Sequence, residues 1–216
     1  MKSKIKLFIV LIVIFVISFA VYKLLFKKHP SQPGEVESSI EIVDGSIYRV
    51  YKTGNKEMLV DKEDYDTIME FTYVAESPDG KKICFLGQSM VPIWLYYGNL
   101  NESKVTSVKR IDSARNCVWS NNSQKISYNN HTTDVSPVNV YVYDIKTDES
   151  TNFTESLQSR EDIYEIRFYK EPKWSDDDSE VISPYSYLDT SGQPTREGIS
   201  TINVSTGKIT DSAVSD

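Results

Sequence analysis

This chain has little of what hydrolytic enzymes commonly use. Its 216 residues include two histidines and two cysteines. A serine or cysteine nucleophile needs a base within hydrogen-bond reach. His29 abuts a hydrophobic stretch, and His131 lies in the polar run "YNNHTTDVSP". No Gly-x-Ser-x-Gly elbow is present, since "GISTI" lacks the second glycine. No catalytic residue is assigned, and an enzyme of its own is not expected. Cys84 and Cys117 are too few for a disulfide scaffold and have no zinc-ligand spacing. Two acidic clusters, "DKEDYD" (61–66) and "WSDDDSE" (174–180), lack the alternating spacing and distal Glu of a calcium loop. Paired acids can also cleave glycosides. Asp176–Asp178, however, fall where a hairpin turn is expected, and Asp suits such turns for backbone reasons. The first cluster reads as a loop. No metal or cofactor is expected.

Basic charge is missing from most of the chain. Six of the 24 Lys/Arg and none of the 31 Asp/Glu lie in residues 1–28, so the remainder carries 18 bases against 31 acids. That balance argues against a nucleic-acid partner, which needs a basic footprint, and is ordinary for a soluble surface.

One long hydrophobic run is present. Leu7 to Phe26 covers 20 residues, with Lys23 its only charge. As a helix it would be about 30 Å long, the hydrocarbon thickness of a bilayer. Lys23, near one end, can snorkel to the headgroups. Two readings exist. Ser18-Phe19-Ala20 would serve as the cleavage site of a signal peptide. Alternatively, the apolar run resumes at Leu24–Phe26 and is closed by Lys27-Lys28, which favours an uncleaved signal anchor. The expected organisation is a cytoplasmic N-terminus (1–6), a transmembrane anchor (7–26), a Pro/Gly/Ser-containing linker (27–38) and a body (39–216). This is a single-pass membrane protein whose body is expected outside the cytoplasm, periplasmic or extracellular.

Helical periodicity is absent after residue 38. Short alternating runs such as "SIYRVY", "PIWLYYG" and "VNVYVYD", bounded by Gly, Asn, Asp or Pro, indicate an all-β body. These runs repeat in order. Ser77-Pro78-Asp79-Gly80 precedes "KKICFLG"; Ser120-Asn121-Asn122-Ser123 precedes "QKISY"; Ser175-Asp176-Asp177-Asp178 precedes "SEVIS". The turn serines are 43 and then 55 residues apart. A second signature aligns at Thr53, Thr147 and Thr206, each followed by Gly or Asp. One unit is therefore strand, Ser-rich turn, two strands, Thr-Gly turn, strand, the size of one propeller blade. The alternating aromatics read as packing between blades. Tyr96 and Tyr97 must face opposite sides, which leaves one of them a candidate for exposure.

"SPDGKKI" together with "VYVYDIKTDES" resembles the TolB-type propeller repeat, with its Trp-Ser-Pro-Asp-Gly-Lys core, and is similar to the propellers of prolyl-oligopeptidase-like peptidases. The resemblance covers about residues 40–212. Trp119-Ser120 and Trp174-Ser175 keep the tryptophan, which would wedge between blades. Glu76 stands where the first copy should have it. That departure marks a blade that packs differently, or one that faces solvent because the ring is incomplete. The resemblance implies about 3.5–4 four-stranded blades, in a ring that is open, four-bladed and imperfect, or completed by another copy. An open ring would leave self-association available. Cys84 and Cys117 either form a disulfide between adjacent blades or remain two separately buried thiols. The resemblance also implies an envelope module that binds a protein or peptide partner. The alternatives are an accessory propeller of a peptidase or glycosidase, and a truncated propeller with a structural role only.

Overall fold

The computed structural model describes residues 38–130, 138–155, 166–189, 191 and 193–213. The expected N-terminus, anchor and nearly all of the linker lie outside the described residues. Among the described residues no helix is long and apolar enough to cross a membrane.

The body is all-β and built from four antiparallel sheets. The first has three strands, β1 (Ser38–Val43), β2 (Ser46–Tyr51) and β3 (Lys56–Val60). The second is β4 (Glu70–Glu76), β5 (Lys82–Gln88), β6 (Ile93–Leu100) and β7 (Val105–Ser113). The third is β8 (Val118–Trp119), β9 (Lys125–Asn129), β10 (Val140–Asp144) and β11 (Glu149–Asn152). In the fourth, β12 (Ile166–Tyr169) and β13 (Lys173–Trp174) both pair with β14 (Glu180–Leu188), followed by β15 (Pro194–Asn203) and β16 (Ile209–Ala213). β12 and β13 are thus one inner strand with a break. The expected insertion at 152–172 contributes β12 to that strand. Each sheet is a blade, and among the described residues the first has no inner strand.

The strands turn where the sequence supplies left-handed backbone. Asp44-Gly45 has φ values of 51° and 82°, both positive as a two-residue hairpin requires. Gly54, Asp148 and Gly207 take positive φ in the Thr-type turns. In two of these an Asx side chain accepts from the following amides: Asp144 from Lys146 and Thr147, and Asn203 from Ser205 and Thr206.

The inner strands share a kink at the same place. Glu76, Trp119 and Trp174 pair with Ile83, Ile126 and Val181. Further along, Phe71, Ala114 and Tyr169 pair with Gly87, Asn130 and Tyr185. In each blade the inner strand has one residue more than its neighbour between these two points. A bulge of this kind sharpens the local twist, and the same one-residue excess recurs in three blades.

The blades pack face to face through three buried clusters. Ile47, Leu59 and Val60 meet Phe71, Ile83, Phe85 and Tyr96 between the first and second blades. Leu86 and Leu95 meet Trp119, Ile126, Tyr128 and Tyr143 between the second and third. Val138, Val140 and Val142 meet Tyr169, Val181, Tyr185 and Ile202 between the third and fourth. Each such apolar side chain gains about 1.5–3 kcal/mol from full burial. Neither Tyr96 nor Tyr97 is left exposed. They face opposite sides as expected, but the second blade is sandwiched. Tyr96 therefore stacks on Phe85 at 5.4 Å and Tyr97 meets Tyr143 at 5.6 Å. Among the described residues no buried cluster joins the fourth blade to the first, and no strand pair does.

Candidate functional site

The three Ser hairpins carry one hydrogen-bond pattern. Gly80, Ser123 and Asp178 close the turns by donating their amides to the carbonyls of Ser77, Ser120 and Ser175 at 2.8, 2.9 and 3.0 Å. Each turn serine hydroxyl donates to the third residue, Asp79, Asn122 or Asp177, at 2.6–2.9 Å. The same side chain accepts the amide two residues on, from Lys81, Gln124 or Ser179. The serine oxygen in turn accepts the first amide of the next strand, from Lys82, Lys125 or Glu180. This explains the residue types: a hydroxyl that both donates and accepts, then a short side chain that can accept twice.

The electrostatics follow. The Ser179 and Ser175 hydroxyls and the Ser179 amide hold Asp177 down to about 2. Burial works against the Asp79 charge, but the Ser77 hydroxyl, the Lys81 amide and Lys82 outweigh it and lower its pKa. Asp79 and Asp177 are engaged within their own turns, as the turn reading of "WSDDDSE" expects for Asp177, while the Asp178 carboxylate accepts from the preceding hairpin. Among the described residues no group of three or more His, Cys, Asp or Glu could hold a metal. His29 and His131 lie outside the described residues. The 61–66 cluster forms a short 3-10 turn, Lys62–Asp64, capped by the Asp61 carboxylate on the Glu63 amide at 3.1 Å.

Successive blades are joined by three recurring contacts. The first is backbone to backbone: the Phe71, Ala114 and Tyr169 amides donate to Gly45, Ile93 and Val138 of the preceding blade at 2.8, 2.9 and 3.4 Å. The second uses tryptophan. Trp119 Nε1 donates to the Ala75 carbonyl and Trp174 Nε1 to the Val118 carbonyl, both at 3.0 Å. The third joins one hairpin to the next. Ser123 Oγ accepts the Asp79 amide at 3.0 Å, and the Asp178 carboxylate accepts the Asn121 and Asn122 amides at 2.7 and 2.8 Å. Of these three, the junction between the first and second blades shows the backbone contact alone among the described residues, because the other two need an inner strand and none is described in the first blade. Glu76 and Gly80 occupy the positions of the missing indole and the missing side-chain acceptor.

Cys84 on β5 and Cys117 just before β8 form a disulfide between the second and third blades, with Cα atoms 6.5 Å apart. Both are fully buried. An inner-strand end and a neighbouring second strand approach this closely because Cys84 pairs with Ala75, whose carbonyl takes the Trp119 indole.

One polar cluster was not legible beforehand. Buried Arg167 stacks 4.0 Å over the Tyr185 ring and donates to the Tyr169 and Tyr187 hydroxyls at 2.9 and 2.6 Å. It also pairs with Asp211 at 2.8 Å. Burial opposes its charge, but Asp211 and the tyrosine hydroxyls outweigh that and raise its pKa. The cluster ties the inner strand of the fourth blade to its outer strand across the two strands between them. Its members are scattered over 167–211, so only the pairing of β12 with β14 and of β15 with β16 brings them together.

The open edge of β1 is the remaining candidate. Val43 and Ser46 close the two-residue turn, so Val43, Glu41 and Ser39 direct their backbone groups toward β2. Ser38, Ile40 and Ile42 direct theirs away from it, and among the described residues no strand pairs there. The side chains of Ile40 and Ile42 pack into the first inter-blade cluster.

No family model matches the sequence, and no curated protein matches it. Solved structures match in fold. Hydrazine synthase from Kuenenia stuttgartiensis is 11% identical, over 85% of this chain and 52% of that chain, with a TM-score of 0.58. A putative TolB from Agrobacterium tumefaciens is 12% identical, over 83% and 61%, at 0.53. A prolyl endopeptidase is 13% identical, over 83% and 30%, at 0.53. The chain spans between 30% and 61% of the length of these structures. At these identities the likeness is one of architecture, an all-β run of antiparallel blades similar to the propellers of TolB and of peptidases.

Proposed function

We propose that this chain is a membrane-anchored, extracytoplasmic propeller-like module that binds a protein or peptide partner and has no catalytic activity of its own. The observation that carries the binding reading is the incomplete first blade. Among the described residues three blades have an inner strand and the first does not, and an unpaired strand edge next to an apolar cluster invites a partner. The Cys84–Cys117 disulfide supports the compartment, since buried structural disulfides persist outside the reducing cytosol. The apolar run at 7–26 supplies the anchor, and the Pro-Gly-Ser linker would hold the body clear of the headgroups.

The test is in situ photo-crosslinking of the full chain in its native membrane, with the crosslinker placed on each blade in turn. A reproducible crosslinked partner from one blade is expected, with the body digested by protease admitted to the non-cytoplasmic face of the membrane. No crosslink from any blade, or a body still protected when the protease reaches the non-cytoplasmic face of the membrane, would sink the reading. A second reading, an accessory propeller of a hydrolase, draws on the likeness to a prolyl endopeptidase. It predicts that the crosslinked partner is itself a hydrolase whose activity changes when this chain is removed.

A further inference from the structure

We infer that the edge of β1 is a docking slot for an extended segment of another protein, which completes the first blade as an antiparallel inner strand carrying a basic side chain opposite Glu76. This rests on the reading of the body as a partner-binding module, and it names the site and the chemistry of the partner.

The other three blades show what fills this slot. In the second blade the residues equivalent to Ile40 and Ile42 are Cys84 and Leu86. The equivalence follows from the shared backbone contact, in which Gly45 and Ile93 accept the Phe71 and Ala114 amides, and from the matching pairs Ile42 with Ile47 and Leu86 with Leu95. Cys84 and Leu86 pair with Ala75 and Tyr73 of the inner strand. A docked strand would therefore set two residues opposite Ile40 and Ile42, bonding to backbone groups that have no strand partner among the described residues. Their side chains would join Ile40 and Ile42 against the second blade, which calls for apolar residues at alternate positions.

The next blade fixes the charge. In the later junctions a tryptophan indole donates to the carbonyl of the inner strand ahead of it. Glu76 stands at the equivalent position and is exposed. A carboxylate and a strand carbonyl are both acceptors, so this junction is matched only if the incoming strand brings a cation. Gly80 leaves room at the turn, since it carries no side chain to reach a preceding hairpin.

The experiment uses the full chain in lipid nanodiscs. The probe is a capped synthetic peptide of alternating Val and Thr flanked by Lys. It is compared with the same peptide flanked by Glu and with one N-methylated at alternate amides. Amide hydrogen exchange at Ile40 and Ile42 should slow at least tenfold on saturation with the Lys peptide. The Glu peptide should bind at least tenfold more weakly, and N-methylation on the pairing side should abolish binding. Glu76→Lys, at an exposed position, should reverse the preference between Lys and Glu peptides with an unchanged melting temperature.

Unaltered exchange at Ile40 and Ile42, or equal binding of the N-methylated peptide, overturns the proposal. So does slow exchange in the peptide-free chain: independent of concentration, it means a segment of the same chain fills the slot; rising with concentration, it means a second copy does. A native partner that crosslinks only to the third or fourth blade would sink this proposal and leave the binding reading intact.

Discussion

Trp119 and Trp174 each direct an indole N–H to the inner strand of the blade ahead, and Glu76 stands where the described residues supply no such strand. The fourth turn position behaves in the same way. Ser123 and Asp178 reach back to the preceding hairpin, while Gly80 has none to reach. Two departures that look unrelated in sequence therefore share one cause. Trp119→Phe keeps the ring and removes the donor, so it should cost about 1 kcal/mol, or about 3 °C of melting temperature for a body of this size. Glu76→Trp should add no stability, because no carbonyl waits for it. A rise matching the loss at Trp119 would show that the wedge stabilises by area and not by its hydrogen bond. Acid dependence is set at the same scale. Asp177 is held at about 2 in the fold, below the ordinary unfolded value. Its contribution is thus complete above about pH 4 and is lost as pH falls through about 2. Asn122 fills the same role in the second hairpin, so Asp177→Asn should fold normally and show a flatter fall in melting temperature between pH 5 and 2.

The hairpins are the elements most legible in the sequence. Ser followed two residues later by Asp or Asn can make the serine-to-Asx bond in only one local geometry, so the turns at 77, 120 and 175 could be read without a structure. The alternating strands and the Thr-type turns were readable for the same reason, that their signals are local. Long-range pairings were not. The bulge shared by three inner strands leaves no compositional mark, and the Arg167 cluster depends on pairing between strands far apart in sequence. The positive φ of Gly80 in the first turn is taken by Asp178 in the third and by Ser123, at φ 60°, in the second. Serine is kept there by its oxygen, which accepts the Asp79 amide in the preceding hairpin. The order of stability at position 123 should accordingly be Ser, then Gly, then Ala. Ser123→Gly removes the acceptor but relieves the backbone, while Ser123→Ala removes the acceptor and keeps the strained conformation, at a cost of about 1–2 kcal/mol. Chemical denaturation of the three proteins measures this, and an Ala variant as stable as Gly would remove the backbone from the explanation.

At the scale of the whole body, stability is distributed along a row. Each blade packs on its neighbours through its own cluster, so junctions act nearly independently, as in other stacked repeats. The contacts are unequal. The first junction has one of the three recurring hydrogen-bond contacts, the last has all three, and the middle one has all three and the disulfide. Cys84 and Cys117 are 33 residues apart, a loop whose closure is worth about 3–4 kcal/mol in chain entropy. Replacing both by alanine should lower stability by about that amount. It should also change the order of unfolding. In the oxidised chain the first blade opens before the rest, because its junction is weakest. Without the bridge the middle junction loses its advantage, and the first and second blades should come away from the third and fourth as a pair. Amide exchange resolved by blade distinguishes the two orders. Protection in β5 and β6 that stays level with β9 and β10 after the bridge is removed would show that packing around Trp119 and Tyr143, and not the covalent link, holds the centre of the row.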